Sequence, residues 1–141
     1  MMNKETIKQR ETDLLIPYIS GLFDIGGCIK IETPKKATEA SLFIWITYKA
    51  FGLMELLQKK GAHIGQKSDG AYRAKWRDRQ AYFLLRKLIP FLIIRKEQAR
   101  IALEFFEERE KGKTASTDSI FKLRLRLCKR KDNDEDKPKR T

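Results

Sequence analysis

Arg73, Lys75 and Arg77 stand two residues apart and alternate with Tyr72, Ala74 and Trp76. In an extended segment successive side chains point to opposite faces, so the three cations would share one face as a stripe suited to phosphate contacts. A solvated sheet face has the same pattern, and the whole-chain charge decides between them. Thirty-one Lys and Arg against 19 Asp and Glu give a net charge of +12, which favours a polyanionic partner and above all nucleic acid. Lys122 to Lys131, including Lys129 and Arg130, holds six basic residues and no acid and is a second polyanion-binding candidate. Phe43 and Trp45 would share a strand face with Ser41, Thr47 and Lys49. Rings placed this way either stack on unpaired bases or lie in a core or under another segment or subunit, and both readings stay open. His63 stands alone, and Cys28 and Cys128 have neither zinc spacing nor a disulfide framework, so the cysteines read as small buried hydrophobes.

These residues need elements to position them. Met1 to Thr12 is polar, without apolar periodicity, and reads as a flexible arm. Leu14, Leu15, Ile16, Tyr18, Ile19, Leu22 and Phe23 then give a helical apolar face, with Pro17 expected in its first turn. Ser20 and Gly21 are small residues in mid-helix, a sign that another backbone comes close. Gly26-Gly27 ends the helix, and Cys28 to Glu32 alternates as a strand. Turn signals from Thr33 to Ala40 lead into a second strand, Ser41 to Lys49, which turns Leu42, Ile44, Ile46 and Tyr48 to the core.

Ala50 to Lys60 fits a helix with Phe51, Met54 and Leu57 inward, stopped by Gly61. Ala62 to Lys67 and Ala71 to Arg77 form a hairpin around Ser68-Asp69-Gly70. A helix from Gln80 to Leu88 closes at Pro90, and Ala99 to Glu110 is amphipathic. In the last segment Ile120, Leu123 and Leu127 share one face of a helix, but the alternation from Phe121 to Leu127 suits a strand equally well. The charged segment 132–141 contains Pro138 and no apolar residue and is expected to be disordered. At 141 residues the chain is one domain, 13–131, between the arm and the tail. No run of about 18 apolar residues and no leader sequence is present, so the expectation is a soluble, intracellular protein with no membrane partner.

Ile19-Ser20-Gly21-Leu22-Phe23-Asp24-Ile25-Gly26-Gly27 resembles the LAGLIDADG motif of homing endonucleases and their maturase relatives. Pro90-Phe91-Leu92-Ile93-Ile94-Arg95-Lys96-Glu97-Gln98-Ala99 resembles a second family segment, in the expected order. The resemblance implies a single-motif α/β (α+β) subunit of order α-β-β-α-β-β-α-α, with an antiparallel saddle-shaped sheet, helices on one face, and a basic last helix at 117–131. It further implies a homodimer packed through Ser20, Gly21 and Asp24. The nucleic-acid surface would comprise Lys30, Ser41, Phe43, Trp45, Thr47, Lys49, Gln66, Lys67, Arg73, Lys75 and Arg77, with Lys129 and Arg130 from the last helix.

Asp24 matches the first acidic letter of the motif, which is mainly structural in the family. The second acidic letter, the metal ligand, falls on Gly26, and glycine offers no carboxylate. The family's catalytic lysine position falls on Arg95, with Lys96 one residue on, so Asp24, Arg95 and Lys96 are the candidate catalytic residues. Family hydrolysis uses a metal held by carboxylates. The expectation is therefore a nucleic-acid-binding protein that keeps the scaffold, lacks cleavage and needs no cofactor. One alternative is an active endonuclease making Mg²⁺-dependent double-strand DNA breaks, with Asp24 or Glu32 on the metal and Arg95 or Lys96 as the lysine. Another is an RNA-binding component of a ribonucleoprotein such as a ribosome, or an intron maturase, which needs no chemistry at this site.

Overall fold

The computed structural model describes residues 4–112 and 115–135, with side chains described over 14–112 and 117–132. Helix α1 (Lys4–Gly26) leads into the hairpin β1 (Gly27–Glu32) and β2 (Ser41–Tyr48), followed by α2 (Phe51–Lys59). A second hairpin, β3 (His63–Gln66) and β4 (Tyr72–Arg77), precedes α3 (Arg79–Leu88), a 3-10 turn at Ile89–Phe91, α4 (Lys96–Glu110) and α5 (Ala115–Glu135). The three helices read from the sequence after the second hairpin are all present, one more than the two in the order that the resemblance implied.

The four strands form one antiparallel sheet in the order β1-β2-β4-β3. Its inner face carries Ile29, Ile31, Leu42, Ile44, Ile46, Ala74 and Trp76, all buried. They share one core with Ile19 and Phe23 of α1, Met54 and Leu57 of α2, Leu85 and Leu88 of α3, and Ala102 and Phe105 of α4. Each large side chain buried there contributes roughly 1.5–3 kcal/mol of transfer free energy, so the period-two strand pattern is what assembles the helices on one face. The Trp76 indole keeps its polar atom satisfied by donating to the Lys60 carbonyl at 3.0 Å. At the α1–β1 junction a Cβ on Gly27 would collide with the Phe23 ring and carbonyl, which requires glycine there.

Several boundaries and faces differ from the sequence reading. Helix α1 starts at Lys4, so most of the segment read as an arm is helical, and Pro17 lies in the helix interior, where its missing N–H removes one backbone bond. The Lys, Glu, Gln and Arg of that segment are good helix formers, a signal that apolar periodicity alone overlooks. Phe51 points outward, 55% exposed, with its ring edge-on to Tyr72. In α5 the buried residues are Phe121 and Leu125, while Ile120, Leu123 and Leu127 are exposed. Helix α5 also runs on to Glu135, so residues 132–135, read as tail, are helical, and 136–141 lie outside the described residues.

Candidate nucleic-acid interface

Register places the candidate side chains in rows across the outer face of the sheet. Cys28, Trp45, Lys75 and His63 are cross-strand neighbours, as are Lys30, Phe43 and Arg77, and then Thr47, Arg73 and Gly65. Paired residues point to the same face, so the cations of β4 flank the rings of β2. The Arg73 guanidinium lies 4.6 Å from the Trp45 ring centre and the Lys75 ammonium 4.4 Å from that of Phe43. Arg77 also sits over Phe43 at 5.2 Å, and Lys30 over Trp45 at 5.6 Å. Each such contact is worth about 0.5–1 kcal/mol at an exposed site and holds the cation in place. Phe43 and Trp45 therefore lie on the outer face, away from the main core cluster, with Phe43 buried under its flanking cations and Trp45 half-buried. Neither Arg73 nor Lys75 has a carboxylate partner among the described residues, whereas Lys30 pairs with Glu32 at 3.0 Å and Arg77 with Asp78 at 3.3 Å.

The other candidates are less uniform. Ser41 is buried and accepts a bond from Arg77 Nη2 at 3.2 Å, so it positions that arginine. Lys49 and Lys67 are exposed just beyond strand ends. Gln66 pairs with Tyr72, which puts it on the face opposite Arg73, so it does not belong to the basic surface. His63, read as unassigned, stands beside Lys75 on that surface.

A polar clamp that the sequence reading missed fixes the start of β2. Asp78 accepts a bond from the Leu42 amide at 3.0 Å, Arg109 donates to the Ala40 carbonyl at 2.6 Å, and buried Asp118 accepts from the Ala40 amide at 3.0 Å. These three residues come from the β4–α3 junction, α4 and α5.

At the foot of α1, Asp24 is buried and both of its oxygens are occupied. One accepts from the Ile93 amide at 2.7 Å and the other from the Arg95 amide at 3.0 Å. The carboxylate thereby caps the turn that starts α4. Arg95 reciprocates, its Nε donating to the Phe23 carbonyl at 3.0 Å near the C-terminal end of α1, where cations are favoured. Asp24 and Arg95 form a structural latch between α1 and α4. Gly26 ends α1, exposed, and a Cβ there would meet nothing closer than the Thr47 carbonyl at 3.7 Å. A side chain would fit, but none is present. Among the described residues no group of three or more His, Cys, Asp or Glu converges, and the residues at this position do not fit a carboxylate-held metal. Lys96, the first residue of α4, faces a depression between α4 and α5.

Ser20, expected at a subunit interface, is fully buried within this subunit and donates to the Ile16 carbonyl at 2.8 Å and the Leu88 carbonyl at 3.4 Å. Asp24 also points inward, so neither lies on the free face of α1. That face consists of Leu14, Tyr18 and Ile25, which are 73%, 55% and 83% exposed, around an open Gly21. Their spacing of four, three and four residues is one helical stripe.

On α5, Lys129 reaches back to the sheet. Its amine donates to the Ile29 carbonyl and lies 3.9 Å from Cys28 Sγ. Burial holds this amine below the usual lysine range; the Lys30 and Arg95 charges push the same way, and Cys28 opposes them. Arg130 is exposed.

No protein-family profile and no curated protein matches the sequence. Solved structures do match. The chain is similar to the homing endonuclease I-CvuI in complex with the I-CreI target, with a TM-score of 0.71 and 18% identity over 92% of this chain and 87% of that one. It is similar to the archaeal intron-encoded homing endonuclease I-Vdi141I complexed with DNA, at 0.62 and 18% over 92% and 88%. It also matches the LAGLIDADG meganuclease I-AabMI bound to uncleaved DNA, at 0.54 and 16% over 68% of this chain and 37% of that one. The fold is that of the LAGLIDADG homing endonucleases.

Proposed function

We propose that this protein binds nucleic acid as a homodimer on the LAGLIDADG scaffold and does not cleave it. The observation that carries the reading is the contrast at the foot of α1. Gly26 stands where the motif's metal-binding acid would be, and Asp24, the nearest carboxylate, is bound through both oxygens to the Ile93 and Arg95 amides. Two residues along a helix is a rotation of about 200°, so Asp24 does not face where a side chain at position 26 would. The Glu32 carboxylate is paired with Lys30 on the strand. Binding is supported by the unpaired cations of β4, by the net charge, and by neighbours of the same fold that are DNA-bound endonucleases.

The homodimer is supported by the exposed stripe Leu14, Tyr18 and Ile25, with Gly21 between them leaving room for a second helix. In that dimer Gly21 stays an interface residue, while Ser20 and Asp24 serve the subunit interior. A second reading, binding of RNA in a ribonucleoprotein, is favoured by Phe43 and Trp45 on the outer face, at positions where direct base readout in a duplex would call for Arg, Lys, Asn or Gln. The test is to recover and sequence the nucleic acid that copurifies with the full chain. A defined duplex site supports a DNA binder and structured RNA supports the second reading; a protein free of nucleic acid that binds neither in low salt overturns both.

A further inference from the structure

We infer that the groove between the outer edge of β1 and helix α5 is a second phosphate-binding track, continuous with the basic sheet face and anchored by Arg126. The inference rests on the nucleic-acid reading above. The groove encloses about 530 Å³, and its walls carry Lys30 from β1 and Lys122, Arg126 and Lys129 from α5. Glu32 is the acid among its lining residues, and it is already paired with Lys30.

The three α5 cations are spaced by four and then three residues, so they lie on one side of the helix, above the buried Phe121 and Leu125 that seat α5 on the core. Two of them also hold the helix to the strand edge. Lys122 donates to Thr33 Oγ1 at 2.7 Å and Lys129 to the Ile29 carbonyl. Because β1 is an edge strand, the Lys129 bond covers a backbone carbonyl that would otherwise lie open, and together the two bonds fix the wall of the groove before any ligand arrives.

Arg126 differs from both. It is exposed and has no hydrogen bond or ion pair among the described residues, so its whole guanidinium fork is available to a phosphate. At a rise of 1.5 Å per residue the α5 cations span roughly 10 Å, which along one strand covers about three phosphates. Lys30 belongs both to this groove and to the row containing Phe43 and Arg77, so a backbone leaving the sheet face passes directly into it.

The experiment compares Arg126→Glu with Arg86→Glu, which makes the same charge change on α3 in the helical layer. Each is titrated with a fluorescein-labelled mixed-sequence duplex and with a structured hairpin RNA over a range of salt. The groove predicts that Arg126→Glu weakens binding on the order of tenfold more than Arg86→Glu and flattens the salt dependence by about one unit of slope. In the unmodified protein, bound nucleic acid should also protect the Lys122 amine from acylation. If Arg126→Glu matches Arg86→Glu and Lys122 stays reactive while Arg73→Glu weakens binding well beyond Arg86→Glu, the groove is wrong and the sheet face stands. If the unmodified protein binds neither probe, both readings fall together.

Discussion

The outer sheet face, made by β1 to β4, and the foot of α1, where α1 meets the start of α4, belong to one subunit, yet they differ in what they retain. On the sheet, Arg73 and Lys75 lie over the rings of Trp45 and Phe43 and lack carboxylate partners among the described residues, so their charge remains available to a ligand. At the foot of α1 the polar groups are consumed internally: Asp24 holds the start of α4 and Arg95 holds the end of α1. The lesson is that binding and catalysis make different demands on one scaffold. Binding depends on many spread cations, each replaceable, whereas metal-assisted hydrolysis depends on a few carboxylates at fixed points.

The largest expected break in this comparison comes from the dimer. Gly21→Leu fits within the subunit, where a Cβ has open space, but fills the gap a second helix would occupy. It should convert a dimer to a folded monomer in sedimentation and weaken binding by on the order of 100-fold, because the two faces then act separately. An unchanged sedimentation coefficient would displace the interface from α1. Next comes Asp24→Ala, which removes the acceptor of the part-buried Ile93 and Arg95 amides and should lower stability by roughly 1–3 kcal/mol in urea unfolding. A variant of normal stability would mean that Asp24 is not the latch described.

Smaller effects separate the two kinds of contact on the sheet. If bases stack on Trp45, Trp45→Ala should cost about 1–3 kcal/mol of affinity with little change in salt dependence. Arg73→Ala or Lys75→Ala should cost less and act uniformly across sequences, each lowering the salt slope by about one. A sequence-dependent loss from either cation would instead assign it to base edges.

The order of strands and helices, the strand faces and the two glycine junctions could be read from the sequence because they rest on local periodicity and turn chemistry. Misreadings arose where two faces of one element were equally apolar. Helix α1 buries Ile19, Ser20 and Phe23 on one side and exposes Leu14, Tyr18 and Ile25 on the other, and period alone does not say which side meets its own core. Helix α5 poses the same choice between Phe121 with Leu125 and Ile120 with Leu123. Gln66, which the resemblance put on the basic surface, pairs with Tyr72 on the opposite face, and β3, only four residues long, offers too little alternation to set a face from sequence. The clamp of Asp78, Arg109 and Asp118 was illegible for another reason: it joins residues from three distant elements around the Ala40 and Leu42 backbone, and no local pattern announces such a meeting.

The central claim is that binding persists without chemistry, and a cleavage assay addresses it most directly. The full protein is incubated with the nucleic acid that copurifies with it, in Mg²⁺ and in Mn²⁺, beside Gly26→Asp and Gly26→Asp combined with Arg95→Lys. The account predicts that the unmodified protein binds and leaves every strand intact in both metals. Metal-dependent double-strand cleavage by the unmodified protein would contradict it and return Asp24 or Glu32 to the role of metal ligand.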